Sequence, residues 1–179
     1  MVDLRQTIAT KRIYSLIVIG SLGFCVILNA GCTTPALSRD MTVNNVVINK
    51  KFPYSVSLHV QGGRQSEVGE LPQISDEEFE KAIERSIINT KVFAKIGEAA
   101  STDYHLEAII FSISQWLYQS GVHVEIGWRL TDRVTDEIVW QESIKTSGEA
   151  EALNKGDALE AAIKENIQQG LEHISALEL

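Results

Sequence analysis

Between Val122 and Leu130 the chain alternates without a break. Val122, Val124, Ile126, Trp128 and Leu130 are apolar, and His123, Glu125, Gly127 and Arg129 between them are not. Successive side chains of a strand point to opposite faces, so this pattern predicts a strand with one buried face. A sheet with an apolar face must cover it with another layer. Two further strands flank this one across short polar links. Tyr104 to Ile113 precedes it, with Gln119-Ser120-Gly121 as the turn. Ile138 to Thr146 follows, after Thr131 to Asp136. Three successive strands with short links predict an antiparallel meander. Upstream, Tyr54, Val56, Leu58 and Val60 alternate with Ser55, Ser57 and His59, after Pro53 at a strand start. Val92 to Ile96 reads as a short strand, and Val46-Val47-Ile48 as a short edge strand.

Two helices supply the second layer. Ser75-Asp76-Glu77-Glu78 has the form of a capping box, and Ile74 and Phe79 have the spacing of a hydrophobic staple. Phe79, Ala82, Ile83 and Ile87 then make one apolar stripe, predicting a helix from Asp76 to about Asn89. Asp157 with Glu160 resembles a second cap. Leu159, Ile163, Ile167, Leu171 and Ile174 continue as a stripe to about Leu177. Gly170 lies on that stripe, where a close approach to the sheet would account for it. The expectation is an α+β fold: a two-layer sandwich, a mainly antiparallel sheet with two amphipathic helices packed on one face.

The first strand of the meander has a peculiarity. Tyr104, Leu106, Ala108 and Ile110 form one face. The other begins polar with His105 and Glu107 and turns apolar with Ile109, Phe111 and Ile113. If the helices cover the first set, Ile109, Phe111 and Ile113 face outward, beside Trp116, Leu117 and Tyr118. Contiguous exposed apolar patches beyond a few hundred Å² are rare in monomers. This patch is expected to be covered by a partner protein, a second copy or the membrane surface. The alternative is internal burial, by the segment around Val46-Val47-Ile48 or through a bulge that swaps the strand's facing.

The N-terminal part is not built like the rest. Arg5, Lys11 and Arg12 precede an apolar run from Ile13 to Leu28, and Ala30 and Gly31 lead to Cys32. A basic start, an apolar middle and small residues before a cut are the parts of a secretory signal. An uncleaved spanning helix is the rival, but it needs about 20 apolar residues. This run is shorter and holds Gly20 and Gly23. Ala30-Gly31-Cys32 resembles the lipobox of bacterial lipoproteins, with Asn29 where that family prefers Leu. The resemblance implies cleavage after Gly31 and lipidation of Cys32. Thr33 rather than Asp after the cysteine implies the outer membrane, facing the periplasm. The expected organisation is a signal peptide over 1–31, a lipidated cysteine and polar tether over 32–45, and a single domain over 46–179.

Removing 31 of 179 residues leaves 148, enough for one core. The discarded part carries Asp3 against Arg5, Lys11 and Arg12, net +2, so the remainder of a chain of net −8 carries −10. That sign argues against nucleic acid and against electrostatic docking on anionic lipid. Cys25 falls in the discarded part, so the mature chain has no disulfide available.

No catalytic signature stands out: there is no Gly-x-Ser-x-Gly, no His-Glu-x-x-His and no Gly-x-x-x-x-Gly-Lys. His59, His105 and His123 fall on polar strand faces, where two could meet and bind zinc, but solvated histidines explain them as well. Gly62-Gly63 could form an anion-binding nest or simply a turn. No cofactor is implied. The element order, with Gly127-Trp128-Arg129-Leu130-Thr131-Asp132 and Ile138-Val139-Trp140-Gln141, resembles small envelope lipoproteins. These are the auxiliary lipoproteins of ABC-type lipid transporters and those related to the TolB N-terminal domain. The resemblance implies a non-catalytic accessory or assembly role through contacts with an envelope protein, self-association included. A lipid or glycolipid carrier with a pocket between helices and sheet is the second reading, and an envelope enzyme the third.

Overall fold

The structure is a computed structural model that describes residues 36–44, 46, 48, 50–64, 73–115, 121–149 and 155–179. Its elements are α1 (Ser38–Met41), β1 (Phe52–Gln61), α2 (Asp76–Thr90), β2 (Phe93–Ile96), β3 (Tyr104–Gln115), β4 (Val122–Asp132), β5 (Ile138–Gly148) and α3 (Lys155–Ser175). The strands form one sheet in the order β2-β1-β3-β4-β5. The meander β3-β4-β5 pairs antiparallel over long ladders. Strand β1 pairs parallel to both neighbours. Parallel neighbours need a crossover, which α2 supplies between β1 and β2. Residues 97–103 then carry the chain past β1 to β3, where Asp103 accepts hydrogen bonds from the Ser55 N–H and hydroxyl, both at 2.7 Å. The fold is the α+β sandwich expected, its sheet mostly antiparallel.

The helices cover the face read as buried. Leu106, Ala108, Ile126, Trp128 and Leu130 are fully buried against Phe79, Ile83, Leu159, Ile163 and Ile167. Trp128 meets Phe79 edge to face at 6.4 Å and donates its indole N–H to Asn166 Oδ1 at 2.9 Å. The same asparagine donates to the Ile144 carbonyl at 2.8 Å, so no end of this buried polar group is wasted. Gly170 lets α3 approach: a Cβ there would stand 3.0 Å from the Trp128 ring.

The start of α2 is capped by Ser75, whose hydroxyl accepts from the Glu78 N–H, with Ile74 and Phe79 both buried beside it. The reciprocal half of the box is diverted. Glu78 Oε2 accepts from the Ser38 N–H at 2.9 Å, and its Oε1 from Lys81 at 3.2 Å. These bonds hold the Glu78 carboxyl below the usual range, the Ser38 contacts foremost. Glu160 is likewise no cap. Helix α3 begins earlier, at Lys155, and the Glu160 carboxylate accepts from the Leu37 N–H at 2.9 Å.

These two contacts correct the reading of the polar tether over 32–45 in its described part, residues 36–44. From Ala36 onward it packs on the helices: Ala36, Met41 and Val43 are buried, and the Val43 N–H donates to Ser86 Oγ at 2.9 Å. Its apolar residues are too few and too spaced to show a period, so composition alone suggested a linker. Ile48 is also buried, but neither it nor Val46 lies in a strand.

In β3 the alternative of a facing-swapping bulge holds for Ile113, and the outward placing of that residue is corrected. Ile110 pairs with Ile126, Ser112 with Glu125 and Ile113 with Val124, which leaves Phe111 as the extra residue of a bulge. Side chains beyond an extra residue exchange faces. Ile113 therefore packs against the core rather than pointing outward.

Candidate partner face

The outward face of the sheet carries Ser57, His59 and Gln61 from β1, and His105, Glu107 and Ile109 from β3. Glu125, Gly127 and Arg129 of β4 and Gln141, Ser143 and Lys145 of β5 continue it. Most of it is a polar lattice. Glu107 accepts from Gln61 Nε2 at 3.1 Å and pairs with Arg129 at 3.2 Å. Glu125 accepts from the Ser143 hydroxyl at 2.9 Å and faces Lys145 at 3.5 Å.

The histidines do not gather into a metal site among the described residues. His59 and His105 stack with ring centroids 6.5 Å apart, and Ser57 Oγ bonds His105 Nδ1 at 2.9 Å. Burial, helped by Arg133, holds the His105 pKa below its ordinary value. This ring is therefore biased toward the neutral form. The glycine pair is also satisfied from within. The Gly63 N–H donates to Asp76 Oδ1 at 2.6 Å, so the anion it takes is the chain's own carboxylate.

Of the residues expected in an apolar patch, Ile109 and Phe111 do share the outer face, Ile113 does not, and Trp116, Leu117 and Tyr118 lie outside the described residues. Ala30, Gly31 and Cys32 also lie outside them. Phe111 is 57% exposed. The bulge frees it from the ladder, and its ring lies over Gly127, where a Cβ would stand 2.5 Å from the ring edge. Phe111 is thus seated on β4 as well as displayed.

Ile109, Phe111, Gly127, Arg129, Gln141 and Ser143 surround a shallow cleft of about 310 Å³. Arg129 Nε on its rim is buried and has no hydrogen-bond partner among the described residues. Sequence reasoning missed Gly127 and Arg129 as parts of this surface. Their place in the alternation puts them on the outer face, but nothing local shows that a bulge will lay an aromatic ring beside them. It also missed Val134 and Ile138, 89% and 55% exposed at the β4–β5 turn.

No protein-family model and no curated protein matches the chain. Solved structures do. A protein from Xanthomonas campestris of the DUF330 family is 13% identical at a TM-score of 0.54, covering 75% of this chain and 90% of that one. A hypothetical protein from Chlamydia trachomatis is also 13% identical, at 0.52, covering 70% and 100%. A minor lipoprotein from Acinetobacter baumannii aligns at 0.46 with 12% identity, covering 68% and 92%. At such identities the first two show a shared fold, and fold alone does not carry function.

Proposed function

We propose that this chain is an exported lipoprotein that is cleaved after Gly31, lipidated at Cys32 and held on the periplasmic side of the outer membrane. Its domain acts there without catalysis, as an accessory, assembly or transport-auxiliary component that binds an envelope protein. The Ala30-Gly31-Cys32 sequence behind an apolar run supports the anchor, and the Thr33 that follows supports the outer membrane. The observation that carries the binding role is Phe111, displayed on a bulge beside Ile109 above a cleft whose rim holds Arg129 Nε, without a partner among the described residues. Exposed aromatics in such settings are common anchors of interfaces. The carrier reading requires space between the layers. That space is filled by Trp128, Phe79 and the α3 stripe, and the cleft at Phe111 opens on the outer face.

The test has two parts. Mass spectrometry of the mature N-terminus should find acylated Cys32; an unmodified start at another residue sinks the anchor. Cross-linked complexes captured from wild type and from Phe111→Ser should differ by the loss of a defined envelope protein, with the thermal midpoint unchanged. Retention of that protein by Phe111→Ser removes this face from the binding role.

A further inference from the structure

The N-terminal segment that should follow the lipid is stitched to the helix layer almost from its first described residue. The Leu37 N–H donates to Glu160 and the Ser38 N–H to Glu78, each at 2.9 Å, while Ala36 and Met41 are buried. Glu78 lies in the first turn of α2, and Glu160 lies near the start of α3. Strands β1 and β5 finish at this same end: the Arg64 N–H donates to the Ile74 carbonyl at 2.8 Å, and Gly148 packs against Ala158. The first described residues of the segment, Ala36 to Ser38, are therefore fixed at this end.

The remaining length is short. Four Cα steps separate Cys32 from Ala36, and an extended chain covers at most about 3.6 Å per step. The acylated residue can stand no more than about 14 Å from Ala36.

We propose that the domain is mounted directly on a lipid bilayer by the end at which α2 and α3 begin, not suspended from a flexible tether. This rests on lipidation of Cys32. The long axis of the sheet then points away from the membrane. The β4–β5 turn with Val134 and Ile138 lies at the far end, about the length of β4 away, eleven residues at about 3.3 Å each. The outer sheet face with Phe111 stands sideways, open to a partner in the adjoining space. The mounting end carries Asp40, Asp157 and Glu160 beside Arg39 and Lys155; burial raises the pKa of the Glu160 carboxyl first, the two aspartates raise it further and Arg39 opposes them. With three carboxylates against two cations, it is not a basic patch of the kind that anionic headgroups hold. Acyl chains and a short link hold it there, and added salt leaves it in place.

Lipidated protein extracted with its anchor and reconstituted into phosphatidylcholine vesicles tests this. Cys32 is the only cysteine after residue 31, so Leu37→Cys and Val134→Cys each accept a single fluorescent label. Both side chains are exposed, and the Leu37 latch uses only its backbone. Headgroup-nitroxide lipid should quench the label at 37 several-fold more than the label at 134, in low and high salt alike. A flexible insert of about ten residues after Thr34 should reduce that contrast. Equal quenching at the two positions, a reversed order, or a contrast untouched by the insert overturns the mounting. An N-terminal peptide shown to be unacylated overturns the mounting together with the lipoprotein reading, whereas an acylated peptide with equal quenching overturns the mounting alone.

Discussion

The two faces of β4 are one residue apart and belong to different environments. Trp128 is buried under α3, bonded to Asn166 and packed on Phe79. Gly127 and Arg129 beside it look outward, the first under the Phe111 ring and the second paired with Glu107. One face is specified by volume, since a side chain there must fill the gap to the helices. The other is specified by cross-strand partners, each weak where water competes. Substitutions should therefore be costly on the first face and mild on the second, and the difference should follow register rather than residue type.

The largest expected effect is at Trp128. Truncation to alanine removes a fully buried side chain and leaves the Asn166 oxygen without its donor. The cost is expected at about 3–5 kcal/mol in urea unfolding. Arg129→Ala on the opposite face should stay below about 1 kcal/mol, because its pair with Glu107 is partly open to solvent. Similar costs for the two would mean that the outer face is itself buried in the isolated protein.

Ile109 and Ile113 sharpen the comparison, because both are isoleucines at odd positions of one strand. The bulge puts Ile113 against the core and leaves Ile109 on the outer face. Both are half-buried, but only Ile113 packs on the core, so Ile113→Ser should cost about 1–2 kcal/mol and Ile109→Ser, beside the solvent-open cleft, less. The reverse order would mean that β3 runs straight and that the alternation expected from its sequence is the true one.

These residues also show what the sequence makes legible. Alternation in β4 and the stripes of both long helices state their buried faces directly, because each element repeats its own period. Gly170 was readable for the same reason: a glycine on an apolar stripe invites a close neighbour, and Trp128 is that neighbour. The bulge could be posed only as an alternative, since Ile109-Ile110-Phe111-Ser112-Ile113 has an apolar residue available to either face. Parallel pairing of β1 was equally hidden, because alternation reports burial and not strand direction. The segment at Ala36–Val43 looked like a linker because its anchoring bonds come from Glu78, Ser86 and Glu160, which lie far along the chain. For the candidate face, Ile109 and Phe111 were legible as an apolar departure from a polar set. Their neighbours Gly127 and Arg129 became part of it only through the bulge.

A small effect on stability is expected even from deleting Phe111 altogether. Ordinarily a one-residue deletion within a strand reverses the facing of everything after it. Here the ladder on either side of Phe111 is already continuous: Ile110 pairs with Ile126, and the next partner of the strand, Ser112, pairs with Glu125. Removing the extra residue joins those two pairs in regular register and keeps Leu106, Ala108, Ile110 and Ile113 on the covered face. The ring lost is largely exposed, so the change should stay within about 1 kcal/mol in urea unfolding, well below Trp128→Ala. The outer face, however, loses its aromatic residue and exposes Gly127, so capture of the envelope protein should fall as it does for Phe111→Ser. A deletion that unfolds the domain would show that the bend at the bulge is needed to fit β3 under the helices. Phe111 would then hold its position for the sake of the core, and the claim that the two faces answer to separate demands would fail at the residue where they meet.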